Sequence, residues 1–221
     1  MIAAELINHM IPPLKSTDTV DKAISWMEEF RCNQLPVVEN GKFSGLISEE
    51  LILEQNQIDK PISAFKLTCP ECTVLESQHF YDVVKKASDN NVQLIAVLDE
   101  NGVYNGVITV QDTITSFAQT AAVQAPGAIL ILSMHARDYS LSEISRLVEE
   151  EGAKILGSTI REDPNDPTKL KLSLKINQTN LSVIVATFER FDYKIIGRFQ
   201  EPQMVDNDKE RLDLLLRYLD I

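Results

Sequence analysis

A turn written twice constrains this chain more than any other feature. Glu39-Asn40-Gly41 separates Gln34-Leu35-Pro36-Val37-Val38 from a second apolar run, Phe43 to Ile47. Glu100-Asn101-Gly102 separates Gln93-Leu94-Ile95-Ala96-Val97 from Gly106-Val107-Ile108-Thr109. Asn-Gly between two short apolar segments predicts a β-hairpin, because these residues enter the left-handed region at low cost. Gly41 and Gly102 stand 61 residues apart. A helix period precedes each hairpin, with Val20, Ala23, Ile24 and Met27 in the first copy and Phe80, Val83, Val84 and Ala87 in the second. Asp18 is a candidate N-cap for the first helix. A further helix follows each hairpin, from Ser48 to Gln55 and from Gln111 to about Ala121. Units this small do not bury their own apolar faces, so the copies are expected to pack as a pseudo-symmetric pair with their strand ends facing. Ahead of them, Ile2, Leu6, Ile7, Met10 and Ile11 suggest a short helix stopped by Pro12 and Pro13.

Each hairpin closes on a related phrase. The second reads Gly106-Val107-Ile108-Thr109-Val110-Gln111-Asp112 and the first Gly45-Leu46-Ile47-Ser48-Glu49-Glu50-Leu51. A hydroxyl with a carboxylate three residues later, at a helix start, is open to two uses. Thr109 and Asp112 can form a capping box with no ligand, or Asp112 can accept both hydrogen bonds of a ribose diol beside free helix N–H groups. In the first copy Leu51 stands where the carboxylate would be and cannot accept from a ribose, so one competent edge is expected and not two.

These features resemble the cystathionine-β-synthase (CBS) domains, which occur as tandem pairs. The resemblance covers roughly residues 1–122 and rests on the repeated hairpin and on Gly106, Thr109 and Asp112. It implies an adenosine nucleotide (AMP, ADP, ATP or S-adenosylmethionine) bound at the Asp112 edge. It also implies that the other copy lends the adenine wall, through Thr17, Asn33, Leu35 and Pro36, and that Ile95 stands on the sister site's wall. Arg31 and Lys22 are the only basic neighbours expected near a phosphate. A ligand with few or no phosphates therefore suits the site as well as ATP does.

From Ala125-Pro126-Gly127 onward the pattern changes. Ala128 to Met134 reads as a strand and Ser140-Leu141-Ser142-Glu143 as a capping box opening a helix. Gly152 fits its stop. Ile155 to Arg161 is a strand, residues 163–167 a loop, and Leu170, Leu172, Leu174 and Ile176 alternate with polar residues in a half-wet strand. Leu181, Ile184, Val185 and Phe188 mark a second helix, and Tyr193 to Phe199 a last strand. This β-α-β-β-α-β order is a ferredoxin-like plan and looks like an ACT domain. Arg137-Asp138-Tyr139-Ser140 lacks the glycine that such domains place after the first strand to admit an amino acid. A CBS pair with an ACT-like tail is similar to the acetoin-utilisation regulatory protein family. The expected fold is α+β, with a first CBS domain at 1–60, a second at 61–124, an ACT-like domain at 125–201 and a C-terminal helix at 202–221, capped by Asn207 and striped by Leu212, Leu215, Leu216 and Leu219.

Net charge is −12, which disfavours nucleic acid or anionic membrane as a partner. No apolar run approaches the ~18–20 residues of a membrane span, and no basic and apolar leader opens the chain, so a cytoplasmic location is expected. Three cysteines argue against a disulfide framework. Cys69-Pro70-Glu71-Cys72 is read as loop thiols, with a metal or redox role, aided by His79, as the alternative. No nucleophile elbow, phosphate-binding loop or zinc-protease motif is present. The sequence thus points to a non-catalytic regulatory module without cofactor that signals to an unnamed protein partner. The alternative is a ligand-independent assembly protein. Homodimerisation is expected because Ile52, Leu53 and Val123 call for cover.

Overall fold

The structure is a computed structural model and describes residues 1–55 and 60–200. The C-terminal helix expected at 202–221 lies outside the described residues. The chain divides into two compact units, Met1–Ala118 and a second that begins at Gln119.

The first unit contains the duplication. Helix α1 (Val20–Phe30) precedes the hairpin β1 (Gln34–Glu39) and β2 (Lys42–Ser48), followed by α2 (Glu49–Gln55). The second copy runs β3 (Thr73–Leu75), α3 (Phe80–Asp89), β4 (Leu94–Leu98), β5 (Tyr104–Thr109) and α4 (Val110–Ala118). Both hairpins carry a register shift at matching points, Val37/Val38 and Val97/Leu98. In the first turn Asn40 and Gly41 both have positive φ, +50° and +77°, as a two-residue turn requires. The second is longer. Asp99 Oδ1 accepts from the backbone N–H groups of Asn101 and Val103, and only Gly102 turns left-handed. The two tips meet, with Tyr104 N–H donating to the Gly41 carbonyl at 2.8 Å.

The expected short N-terminal helix is a 3-10 turn, Ala3–Leu6, flanked by bridges. Ile2 pairs with His79 and Asn8 with Val107, both in the second copy. Thr19 pairs with Pro61 and Leu46 with Thr68, so the segment after the first copy returns to it. The leading segment of each repeat therefore adds backbone bonds to the other repeat's territory. A cut at residue 60 divides the sequence but not this hydrogen bonding. The glycines before the signature hydroxyls make the crossing possible. A Cβ on Gly45 would lie 2.9 Å from the Leu67 Cβ and from the Thr68 carbonyl oxygen, and one on Gly106 would collide with the Ile7 side chain.

One apolar core joins both copies and includes Leu14, Leu35, Leu46, Ile47, Leu94, Ile95 and Ile108. Helix α1 buries Val20, Ala23 and Met27. Its cap is Thr19, whose Oγ1 accepts from Lys22 N–H at 3.3 Å, and not Asp18 as expected. Asp18 instead accepts from Lys15 N–H and pairs with the Lys22 ammonium at 2.8 Å. Ile52 is buried in this core, so only Leu53 of that pair is left exposed.

The second unit carries α5 (Ala121–Gln124), β6 (Ala128–His135), α6 (Leu141–Glu150), β7 (Ile155–Asp163), β8 (Asp166–Ile176), α7 (Ser182–Arg190) and β9 (Lys194–Phe199). Its sheet is antiparallel in the order β7-β8-β6-β9. Leu130, Leu132, Leu172 and Leu174 turn inward with Ile144, Leu147, Ile184 and Phe188 from the two longer helices. Ser140 Oγ accepts from Glu143 N–H, and Gly152 follows α6 with φ +70°. The loop expected at 163–167 shortens to Pro164 and Asn165, because β7 and β8 extend as a long hairpin. Short α5 packs on β7, where a Cβ on Gly157 would approach Ala122 Cβ to 2.7 Å.

Candidate functional site

The C-terminal end of β5 and the start of α4 form a reciprocal cap. Asp112 N–H donates to Thr109 Oγ1 at 2.9 Å, and Thr109 N–H donates back to Asp112 Oδ2 at 3.1 Å. The Thr109 hydroxyl also donates to the same Oδ2 at 2.6 Å. This is the geometry of a capping box, with Asp in place of Glu. The strand exit is fixed by Val110 N–H donating to the Gln93 carbonyl at 3.0 Å.

The cap does not exhaust the carboxylate. Asn8 reaches Asp112 from the N-terminal crossing, its Nδ2 lying 3.2 Å from Oδ2 and 3.4 Å from Oδ1. Asn8 is itself held by Met10 N–H, which donates to its Oδ1 at 2.9 Å. Asp112 Oδ1 thus has one long partner, and Asp112 lines a cleft of about 1360 Å³. That exceeds the ~300–1,000 Å³ typical of small-molecule sites, as befits an open groove. A carboxylate so placed can accept from a vicinal diol by exchanging the Asn8 contact for ligand hydroxyls.

The cleft walls are mixed. Phe80, Val84, Ile114 and Phe117 supply apolar and aromatic surface from α3 and α4. Asn33 and Gln34 come from the first copy, and Gln34 Oε1 accepts from Gln93 N–H at 3.0 Å, tying the starts of the two hairpins together. The Asn33 carbonyl accepts from Glu49 N–H at 3.0 Å, which fixes the start of β1 beside α2. Among the described residues the charged lining is Glu29, Glu50 and Asp112 against Arg31. Burial pushes the Cys32 thiol up, so it lines the cleft as a neutral group.

Three of the six residues singled out from the sequence meet here, Asn33, Thr109 and Asp112. The other three do not reach the cleft. Leu35 is fully buried in the core, and Pro36 is buried beside it, accepting from Leu14 N–H through its carbonyl at 2.8 Å. Thr17 lies on an exposed turn at the other end of β1, next to Ser16, whose N–H donates to Glu39. Six strand residues separate the two ends by roughly 17–20 Å. Lys22 is likewise elsewhere, paired with Asp18 and stacked 4.3 Å from the Trp26 ring. Ile95, assigned to the sister wall, lines the Asp112 cleft. Asn8 was missed. The signal for it is the repeat extended N-terminally, which sets Asn8 opposite Thr68.

The first copy's edge is closed differently. Ser48 Oγ accepts from Leu51 N–H at 3.2 Å, and the Leu51 side chain packs against the core. Cys69 and Cys72 are joined as a disulfide, contrary to the loop-thiol expectation. His79 caps α3, its Nδ1 accepting from Tyr81 N–H at 3.4 Å. Among the described residues no group of three or more His, Cys, Asp or Glu side chains is arranged to hold a metal ion. No described helix is long and apolar enough to cross a membrane.

The family model for the CBS domain matches residues 3–56. Solved structures similar to this chain include a CBS domain pair/ACT domain protein from Thermotoga maritima. It is 18% identical, with 54% of this chain and 98% of that chain covered and a TM-score of 0.48. The CBS domain pair of protein MJ0100, in complex with 5′-methylthioadenosine and S-adenosyl-L-methionine, is 23% identical over 53% of this chain and 96% of that chain, at a TM-score of 0.45. A CBS domain protein from Pyrobaculum aerophilum complexed with AMP is 20% identical over 51% and 89%, at 0.43.

Proposed function

We propose that the first unit is a non-catalytic regulatory module that binds one adenosine nucleotide in the Asp112 cleft. The observation that carries this is the Asp112 carboxylate. It is fixed by Thr109, lightly held by Asn8, and turned toward an aromatic-lined groove. Such a group suits a ribose diol, while Tyr81 and Phe117 offer surface for a flat base. The CBS model match over residues 3–56 supports the same reading for the first copy of the duplicated fold. Among the described residues three acids against one arginine favour a ligand with few phosphates, AMP or S-adenosylmethionine over ATP.

Binding between two repeats shifts an equilibrium only if the ligand prefers one arrangement of them. In this proposal the shift is passed to the second unit, read as an ACT-like ferredoxin fold from its β-α-β-β-α-β order, or to a protein partner, and the chain acts in the cytoplasm as a homodimer. The exposed Tyr81, Val84, Ile114 and Phe117 favour a second reading, an assembly protein whose groove is filled by protein and not by a nucleotide. Calorimetric titration of nucleotide-stripped protein with AMP, ATP and S-adenosylmethionine separates the two. Saturable binding that falls at least about a hundredfold in Asp112→Ala, in line with losing a charge-assisted pair of hydrogen bonds, supports the regulatory reading. No heat with any of the three favours assembly.

A further inference from the structure

Cys69 and Cys72 lie outside the cleft, and nucleotide binding does not use them. Their disulfide closes a ring over Cys69-Pro70-Glu71-Cys72. The ring sits where the chain crosses from one hairpin to the other. On its near side Thr68 exchanges two backbone bonds with Leu46 on β2, at 2.7 and 2.9 Å. The Thr68 hydroxyl adds a third to the Leu46 carbonyl at 3.2 Å. On its far side the Cys72 carbonyl accepts from Ala96 N–H on β4 at 2.9 Å, and β3 begins at the next residue. Three residues therefore separate an anchor on the first hairpin, Thr68, from an anchor on the second, Cys72. Cys69 is held at φ +50°, a left-handed conformation that non-glycine residues keep only under constraint.

The two sulfurs are not equivalent. Cys72 is fully buried, whereas the Cys69 side chain is partly exposed. We propose that the pair is a reversible thiol–disulfide site, opened by an external dithiol, whose oxidation state sets how tightly the crossing segment is held on the first hairpin. A thiolate of the dithiol attacks the Sγ of Cys69, the less buried residue of the pair. The Sγ–Sγ bond breaks, and Cys72 leaves as a thiolate and takes up a proton. The second thiol of the reagent, as its thiolate, then attacks the mixed disulfide, and Cys69 is released and protonated. The protein gains two electrons and two protons, and the dithiol becomes a disulfide.

The setting is that of a switch and not of an oxidoreductase. The pair leads into a strand, β3, and not onto a helix N-terminus, where a thiolate would be stabilised for turnover. The matching crossing in the other half is held by hydrogen bonds alone, Asn8 N–H to the Val107 carbonyl at 2.7 Å and Asn8 to Asp112. The edge that lacks a carboxylate is thus the one whose crossing segment carries a covalent ring beside its hydrogen bonds.

The test uses the full chain. Protein treated with oxidised glutathione, then denatured in N-ethylmaleimide, should gain one adduct, at Cys32, and protein treated with dithiothreitol should gain three. In native hydrogen exchange the reduced form should exchange the Leu46, Thr68 and Ala96 amides about tenfold faster, with Leu130 and Leu174 of the second unit unchanged. Cys69→Ser/Cys72→Ser should show the fast pattern whatever the reductant, and Cys32→Ser should keep the response. Three adducts after oxidation, or identical exchange in both states of the wild-type protein, would overturn the proposal even if the double variant failed to fold.

Discussion

The two signature edges share a backbone and differ at one decisive side chain. At both, a glycine with positive φ lets a crossing segment pass close, and a hydroxyl three residues on caps the next helix. In the second copy the residue after the hydroxyl by three is Asp112, which caps and still presents an oxygen to a cleft. In the first copy it is Leu51, which packs on the core. The same fold element is therefore a candidate ligand edge in one half and a packing element in the other. Duplication supplied the frame, and Asp112 against Leu51 is the difference that sets the two edges apart.

Forcing the edges to be alike should have the largest effect. Leu51→Asp takes a half-buried side chain off the core and gives Ser48 the carboxylate that Thr109 has, so it should destabilise the protein by about 1–3 kcal/mol and add a second nucleotide equivalent. Urea denaturation with a nucleotide titration would check both halves of that statement. Next come the crossings. Gly106→Ala sets a methyl against Ile7, and Gly45→Ala one against Leu67 and Thr68, so each should cost about 2–3 kcal/mol by the same assay. A clear inequality between them would show that one crossing yields more readily than the other. Asn8→Ala removes the contact that ligand hydroxyls displace at Asp112 and should strengthen nucleotide binding about three- to tenfold, on the order of 1 kcal/mol. Its counterpart Thr68→Ala should leave affinity unchanged.

The smallest contrast is electrostatic. Glu39 and Asp99 stand at matching hairpin ends. Hydrogen bonds from Ser16 hold the Glu39 carboxyl below its ordinary value, and the Val103 and Asn101 N–H groups do the same for Asp99. Both folded values lie below the unfolded ones, near 4. Their stabilisation is therefore present above about pH 4 and lost as pH falls through the folded values. Carbon-detected NMR titration should show both carboxyls titrating below their reference peptides, and Ser16→Pro, which removes the donated N–H, should raise only Glu39.

Local features carried most of the fold into the sequence. The Asn-Gly turn, the period-3.6 faces and the Ser140 cap each depend on residues within a few positions of one another, and Ile184, Val185 and Phe188 are buried as their spacing implies. The crossings were not legible, because Ile2–His79 and Asn8–Val107 are single bridges between distant residues with no periodic pattern. Thr17 was placed at the cleft for want of strand direction, since only the fold shows that β1 carries Asn33 and Thr17 to opposite ends. The disulfide was hidden by the odd cysteine count, which Cys32, left free, explains. Asp112 was legible as a residue but not as a partner of Asn8.

The most direct test of the asymmetry between the edges is a nitrogen-15 NMR titration of nucleotide-stripped protein with AMP, following the amides of Thr109, Asp112, Ser48 and Leu51. Shifts at Thr109 and Asp112 that saturate at one equivalent, with Ser48 and Leu51 still, are the predicted result. Shifts at both edges with saturation at two equivalents would contradict it, and so would shifts at Ser48 and Leu51 alone.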